Sequence, residues 1–194
     1  MYKKLFLLPL IIGFLFLFSG CDSQVSDEPI NGTSKDPIMN LSFPGILSKD
    51  KIENKKAVIT TNKGVIEFEL FADKSPKTVS NFVYLANSKF YDGLTFHRVE
   101  PGFVIQGGDP NGNGTGGPGY KFEDETVQGD YELGSVAMAN SGPDTNGSQF
   151  FICLDNLPSL PKQYSLFGKV TSGIDVVKQI AVGDKIEKIE IKDK

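Results

Sequence analysis

From Ala57 onward the apolar residues come in short bursts, each closed by glycine, proline or a polar turn, so this part of the chain can fold only as many short elements. Ala57-Val58-Ile59-Thr60-Thr61 is β-rich, Asn62-Lys63-Gly64 is a turn signal, and Ile66, Phe68 and Leu70 alternate with Glu67 and Glu69. That pattern predicts a hairpin with one face toward water. Further strands are read at 95–99, 103–106, 135–139, 149–154 and 166–170, and a last one through Ile186, Ile189 and Ile191 loses its alternation once, at Glu187-Lys188. Two helices interrupt them. Ser75 as N-cap and Pro76 at the first helical position open one that runs to about Asn87, with Val79, Phe82, Val83 and Ala86 on one face. Ile174, Val177, Ile180 and Ala181 mark the other. The rhythm suggests a mostly antiparallel barrel.

Ahead of this domain, Lys3 and Lys4 precede an apolar run of 14 residues from Leu5 to Phe18. The run is too short to cross a hydrocarbon core of about 30 Å as a helix. It fits the central region of a secretory signal. The run exits through Phe18-Ser19-Gly20-Cys21, which resembles the bacterial lipobox, and that resemblance implies that Cys21 is lipidated and becomes the first mature residue. Each buried methylene of an acyl chain contributes about 0.8 kcal/mol, so such a residue tethers a domain without spanning the membrane. Residues 22–54 are polar with scattered apolar positions and read as a tether. The expected organisation is a leader at 1–20, a lipid-anchored tether at 21–54 and one domain at 55–194, held at the extracytoplasmic face of the cell membrane.

Composition narrows the chemistry. Two cysteines cannot build a disulfide framework, one histidine cannot build a histidine-rich metal cluster, and a formal charge of -4 gives no footprint for nucleic acid. No metal, no cofactor and no nucleic-acid partner are expected. The segment from Gly112 to Gly117 spells the glycine pattern of a dinucleotide loop, yet Pro118-Gly119 stands where a helix would have to begin. Ser148 or Ser141 with His97 and Asp144 could be combined into a hydrolase, but neither serine sits in a Gly-x-Ser-x-Gly elbow. The acidic run Glu123-Asp124-Glu125 reads as a solvated loop, and Cys153, in an apolar strand, as an inert core thiol.

The informative pair is His97-Arg98, the single histidine beside the single arginine of a chain that otherwise uses lysine. A guanidinium placed among β-rich apolar neighbours points to its planar fork and permanent charge. Around it runs Phe96-His97-Arg98-Val99-Glu100-Pro101-Gly102-Phe103-Val104-Ile105-Gln106-Gly107-Gly108-Asp109, followed by Ala137-Met138-Ala139-Asn140 and Asn146-Gly147-Ser148-Gln149-Phe150-Phe151-Ile152. These blocks, in this order, closely resemble the cyclophilin family of peptidyl-prolyl isomerases, from about Lys55 to the C-terminus.

The resemblance implies a mainly β fold, a closed eight-stranded antiparallel β-barrel capped by two α-helices. It puts the catalytic arginine at Arg98, its histidine neighbour at His97 and a hydrogen-bonding amide at Gln106. It implies that Phe103, Val104, Phe151 and Leu160 line a proline pocket with Tyr164 beside it, and that Ala139 and Asn140 hold the substrate backbone. Val104 stands where the family often has methionine, Tyr164 where it often has histidine, and Ser159 where a tryptophan is frequent. Weak cyclosporin binding is the expectation from that last change. The implied partners are proline-containing segments of unfolded or folding polypeptides, and a monomer is expected. A proline-recognising binding module without essential turnover is the reading from a different functional class.

Overall fold

The computed structural model describes residues 41–194. The apolar leader, the lipobox with Cys21 and residues 21–40 of the expected tether lie outside the described residues. Eight strands and three helices follow in chain order: α1 (Lys49–Ile52), β1 (Lys55–Thr61), β2 (Gly64–Leu70), α2 (Pro76–Asn87), β3 (Arg98–Glu100), β4 (Val104–Gly107), β5 (Ser135–Met138), β6 (Phe150–Cys153), β7 (Leu166–Ser172), α3 (Ile174–Gln179) and β8 (Ile186–Asp193). Among the described residues no helix is long and apolar enough to cross a membrane.

All pairings are antiparallel, in the order β3-β4-β6-β5-β7-β2-β1-β8. The expected hairpin is β1 and β2, closed at Thr61 opposite Gly64, where the Thr61 hydroxyl donates to the Gly64 carbonyl at 2.8 Å. The broken alternation at Glu187-Lys188 is a β-bulge: Thr60 faces Lys188 while Thr61 faces Ile186, which leaves Glu187 as the extra residue.

The barrel is not closed. The ladder ends at β3 on one side and β8 on the other, so the sheet is an open half-barrel rather than the closed cylinder expected. The two ends approach only ahead of β3 and at the start of β8, where Thr95 bridges Lys185, Phe96 N–H donates to Asp184 O at 2.9 Å and Ile186 N–H to Leu94 O at 2.8 Å. Beyond that point β3, three residues long, is paired only with β4, and closure would need a second partner.

The larger core fills the concave side of the sheet under α2. Phe82, fully buried, meets Phe68, Tyr91, Phe150 and Phe167 at centroid distances of 5.2–5.7 Å, mostly tilted or edge-on. A second, smaller cluster of Val104, Tyr131, Ala137, Phe151, Cys153 and Leu166 lies on the other face of the same strands. Alternation along β6 divides the two: Phe150 and Ile152 enter the first cluster, Phe151 and Cys153 the second.

Two local expectations change. Residues 41–54, read as part of the tether, pack on the domain: Leu41, Phe43 and Leu47 are half-buried against the core, and Ile52 of α1 is 3% exposed. Scattered apolar residues without a period gave no element in the sequence, yet all but the exposed Ile46 find a crevice. Ser75 stands at the N-cap position of α2, but its hydroxyl donates to Leu166 O at 2.8 Å and caps nothing. Instead the Glu125 carboxylate accepts from the backbone N–H groups of Lys77 and Thr78, each at 2.8 Å, satisfying the helix start from a distant loop.

Candidate active site

The second cluster opens into a groove of about 1280 Å³, larger than the roughly 300–1,000 Å³ of a typical small-molecule pocket and roomy enough for a stretch of polypeptide. Its apolar floor is built by adjacent strands. Val104 on β4 and Phe151 on β6 are nearly buried, while Phe103, Leu160 and Tyr164 are half-buried beside them. The Tyr164 ring stands edge-on to Phe151 at 5.4 Å. Its backbone is clamped by Tyr131, whose hydroxyl donates to Tyr164 O at 2.7 Å and accepts from Tyr164 N–H at 3.0 Å. Burial pushes the Tyr131 phenol up to about 12, so it stays a donor throughout the physiological range.

Arg98 opens β3 and is half-exposed at the rim of the groove. Its guanidinium carbon lies 5.7 Å from the centre of the Phe103 ring, and Nη1 donates to Gln106 Oε1 at 3.3 Å across the β3–β4 pairing, where the two residues face each other. Nε also lies 3.6 Å from Glu100 Oε1, an exposed pair that contributes little. Gln106 Nε2 then donates to Gln149 Oε1 at 2.9 Å, and Gln149 Nε2 to the carbonyls of Gly116 at 2.9 Å and Gly114 at 3.1 Å. All donors point the same way along this relay. It holds the arginine, two amides and a loop in one polarised chain.

That loop is the glycine-rich stretch after Asp109, and no helix follows it. Asp109 is 1% exposed and accepts from the backbone N–H groups of Asn111 at 2.8 Å, Asn113 at 2.9 Å and Gly114. Glycine is required at 116, because a Cβ there would run into Asp109 Oδ1. Burial of the carboxyl opposes its charge, but the three donors together with nearby His97 hold it below the ordinary 3.8.

Ala139 and Asn140 border the groove just past β5. Asn140 Nδ2 donates to Gln163 O at 2.8 Å and to Asp124 Oδ1 at 3.4 Å, so its side chain ties loops together. Its backbone N–H and C=O carry no hydrogen bond among the described residues and are free to pair with an extended chain. The acidic run is therefore more than a solvated loop: Asp124 also accepts from Asn146 Nδ2 at 2.7 Å, Glu125 caps α2, and only Glu123 is an exposed partner of Lys77.

The sequence-derived residues Arg98, Phe103, Val104, Gln106, Ala139, Asn140, Phe151, Leu160 and Tyr164 all line this groove. His97 does not. It precedes β3, and both its ring nitrogens are buried without a partner among the described residues. Burial, with a smaller push from Arg98, lowers the imidazole below its ordinary 6.5 and keeps it neutral at pH 7, although Asp109 pulls the other way. The residue that sequence reasoning missed is Gln149. It was legible in principle, since it shares the face of Phe151 and Cys153 at intervals of two. Ser148 is excluded as a nucleophile: it is buried and its hydroxyl donates to Gly108 O at 2.6 Å. Burial raises the Cys153 thiol to about 12. Among the described residues no group of three His, Cys, Asp or Glu is placed to hold a metal ion.

The model of the family described as cyclophilin type peptidyl-prolyl cis-trans isomerase matches residues 56–194. The chain is 52% identical over 128 residues to peptidyl-prolyl cis-trans isomerase B of Bacillus subtilis, covering 65% of this chain and 90% of that one. It is 50% identical over 137 residues to a peptidyl-prolyl cis-trans isomerase of Helicobacter pylori, covering 69% and 84%. A solved Cryptosporidium parvum cyclophilin type isomerase superposes with a TM-score of 0.68 at 36% identity, over 72% of this chain and 98% of that one, and a structure of the same protein in the presence of the dipeptide Ala-Pro with a TM-score of 0.67, also at 36% identity, over 72% and 99%. A groove of this construction, in a chain so matched along its whole described sheet, makes the protein a member of the cyclophilin-type peptidyl-prolyl cis-trans isomerases.

Proposed function

We propose that this isomerase acts on X-Pro bonds of exported polypeptides, with Arg98 stabilising the half-rotated amide over an apolar proline pocket. The observation that carries this reading is the placement of the Arg98 guanidinium above Phe103 and against Gln106, at the rim of the pocket floored by Val104 and Phe151. Amide conjugation sets a barrier of about 18–20 kcal/mol, and no covalent bond has to form or break to cross it. In the twisted state the prolyl nitrogen becomes pyramidal and regains a lone pair. A fixed donor aimed there favours that state over the planar one. The apolar floor strips water from the amide, and Gln106, held by Gln149, keeps the guanidinium in register. An acceleration of about 10⁵-fold requires about 7 kcal/mol from these effects together. No proton has to move in such a reaction, and His97, outside the groove lining, acts by packing.

The backbone of Asn140 supplies a donor and an acceptor for the residue preceding proline, and Ala139 and Leu160 border it. The Ala-Pro dipeptide named with the Cryptosporidium parvum structure supports the same ligand class here. For the N-terminus, the reading is a signal peptide at 1–20 and lipidation at Cys21, which holds a monomeric domain at the outer face of the cell membrane. It rests on the Leu5 to Phe18 run and the Phe18-Ser19-Gly20-Cys21 exit.

Titration of the ¹⁵N-labelled protein with an Ala-Pro-containing tetrapeptide tests the groove assignment. Shifts are expected at Arg98, Phe103, Asn140, Phe151 and Tyr164; shifts confined to other surfaces contradict it.

A further inference from the structure

The stretch preceding β1 lies outside the family-matched residues 56–194, yet it is packed against the domain. Its aromatic contacts are directed at one place. The Phe43 ring lies flat on Phe122, with centroids 4.9 Å apart and planes 8° from parallel, and meets Tyr120 at 6.1 Å. Gly45, at a φ of +69°, turns the chain, and Leu47 N–H then donates to Ser80 Oγ on α2 at 3.0 Å before α1 begins.

Tyr120 and Lys121 form part of the groove wall, and Phe122 backs it. The wall is otherwise held by few bonds. Tyr120 donates through its hydroxyl to Asn81 Oδ1 at 2.7 Å, Asn81 Nδ2 donates to Gly147 O at 2.7 Å, and Phe122 N–H donates to Asn146 O at 3.1 Å. Pro118 and Gly119, which continue the wall, make no backbone hydrogen bond among the described residues. The wall also belongs to the larger core, whereas the proline pocket around Phe103 and Phe151 belongs to the smaller one. A device acting on the wall therefore acts on substrate residues away from the reacting bond.

We propose that residues 41–48 form a strap that fixes this wall, with Phe43 as a positioning residue for substrate binding. The inference rests on the groove being the isomerase site. Stacked aromatic pairs add to simple burial, and a wall released from its stack contributes less to the bound ground state and transition state alike, which raises KM and leaves kcat in place.

The test is steady-state isomerisation of a proline tetrapeptide by the full chain carrying Phe43→Ala, Phe43→Leu, Phe43→Tyr or Leu47→Ala. Phe43→Ala is expected to raise KM about three- to ten-fold with kcat within about two-fold. Phe43→Leu, which keeps the burial and loses the stack, covers the case in which the alanine variant does not fold, and should give a smaller rise. Phe43→Tyr should restore the wild-type KM. Leu47→Ala, which trims packing near α1 but keeps both the backbone bond to Ser80 and the Phe43 stack on Phe122, should lower stability and leave KM unchanged. An unchanged KM in both Phe43→Ala and Phe43→Leu, or an equal rise in Leu47→Ala, overturns the strap. Arg98→Ala run in parallel separates the two readings, since a wild-type rate there would fault the groove itself.

Discussion

Asp109 shows how one buried side chain shapes the groove without touching a ligand. Its carboxylate gathers three backbone N–H groups and so fixes the loop whose Gly114 and Gly116 carbonyls anchor Gln149. Replacing it with Asn removes the charge from all three bonds and leaves an amide NH₂ facing donors. Asp109→Asn is expected to cost about 1–3 kcal/mol in urea denaturation at pH 7. The pH dependence has a definite sign. Because the folded carboxyl lies below the unfolded value of 3.8, its contribution is complete above pH 3.8 and is lost as the pH falls from there through the folded value. The stability gap between wild type and variant should therefore close on acidification, and a gap that persists at low pH would show that charge is not what holds the loop. His97 adds to acid sensitivity in the same direction, since an imidazole held below 6.5 disfavours folding once the unfolded chain protonates.

At the scale of elements, α2 presents its buried face to the core and its N-terminus to Glu125. A helix start capped from a loop 48 residues away couples the helix to the acidic run that also steadies Asn140. Glu125→Ala is expected to cost about 1–2 kcal/mol, measured by thermal or urea unfolding, with little change in kcat. A loss of activity without a loss of stability would argue against a capping role. The strands and both longer helices were legible in the sequence because alternation and 3.6-residue spacing report which face is buried. The Glu125 cap was not, because Ser75 carries the local signal and only the fold shows its hydroxyl turned to Leu166. The groove residues could be named from the order of their blocks, whereas Phe43 owes its place to contacts across a long sequence separation, which no local pattern records.

At the scale of the whole molecule, the half-barrel leaves one face of its central strands free to build the groove while α2 closes the other. The N-terminal reading belongs here too. Mass spectrometry of the native protein is expected to find a mature chain beginning at a lipid-modified Cys21; an unmodified N-terminus, or one at another residue, would remove the anchor. The central claim is that a guanidinium at position 98 lowers the rotation barrier, and protease-coupled isomerisation of an X-Pro tetrapeptide tests it most directly. Arg98 is half-exposed and its loss should not unfold the domain. The account predicts that Arg98→Ala keeps the wild-type unfolding midpoint while kcat/KM falls by about 10²–10³-fold, and that Arg98→Lys recovers little of it. A folded Arg98→Ala variant that turns over as fast as wild type would contradict the account.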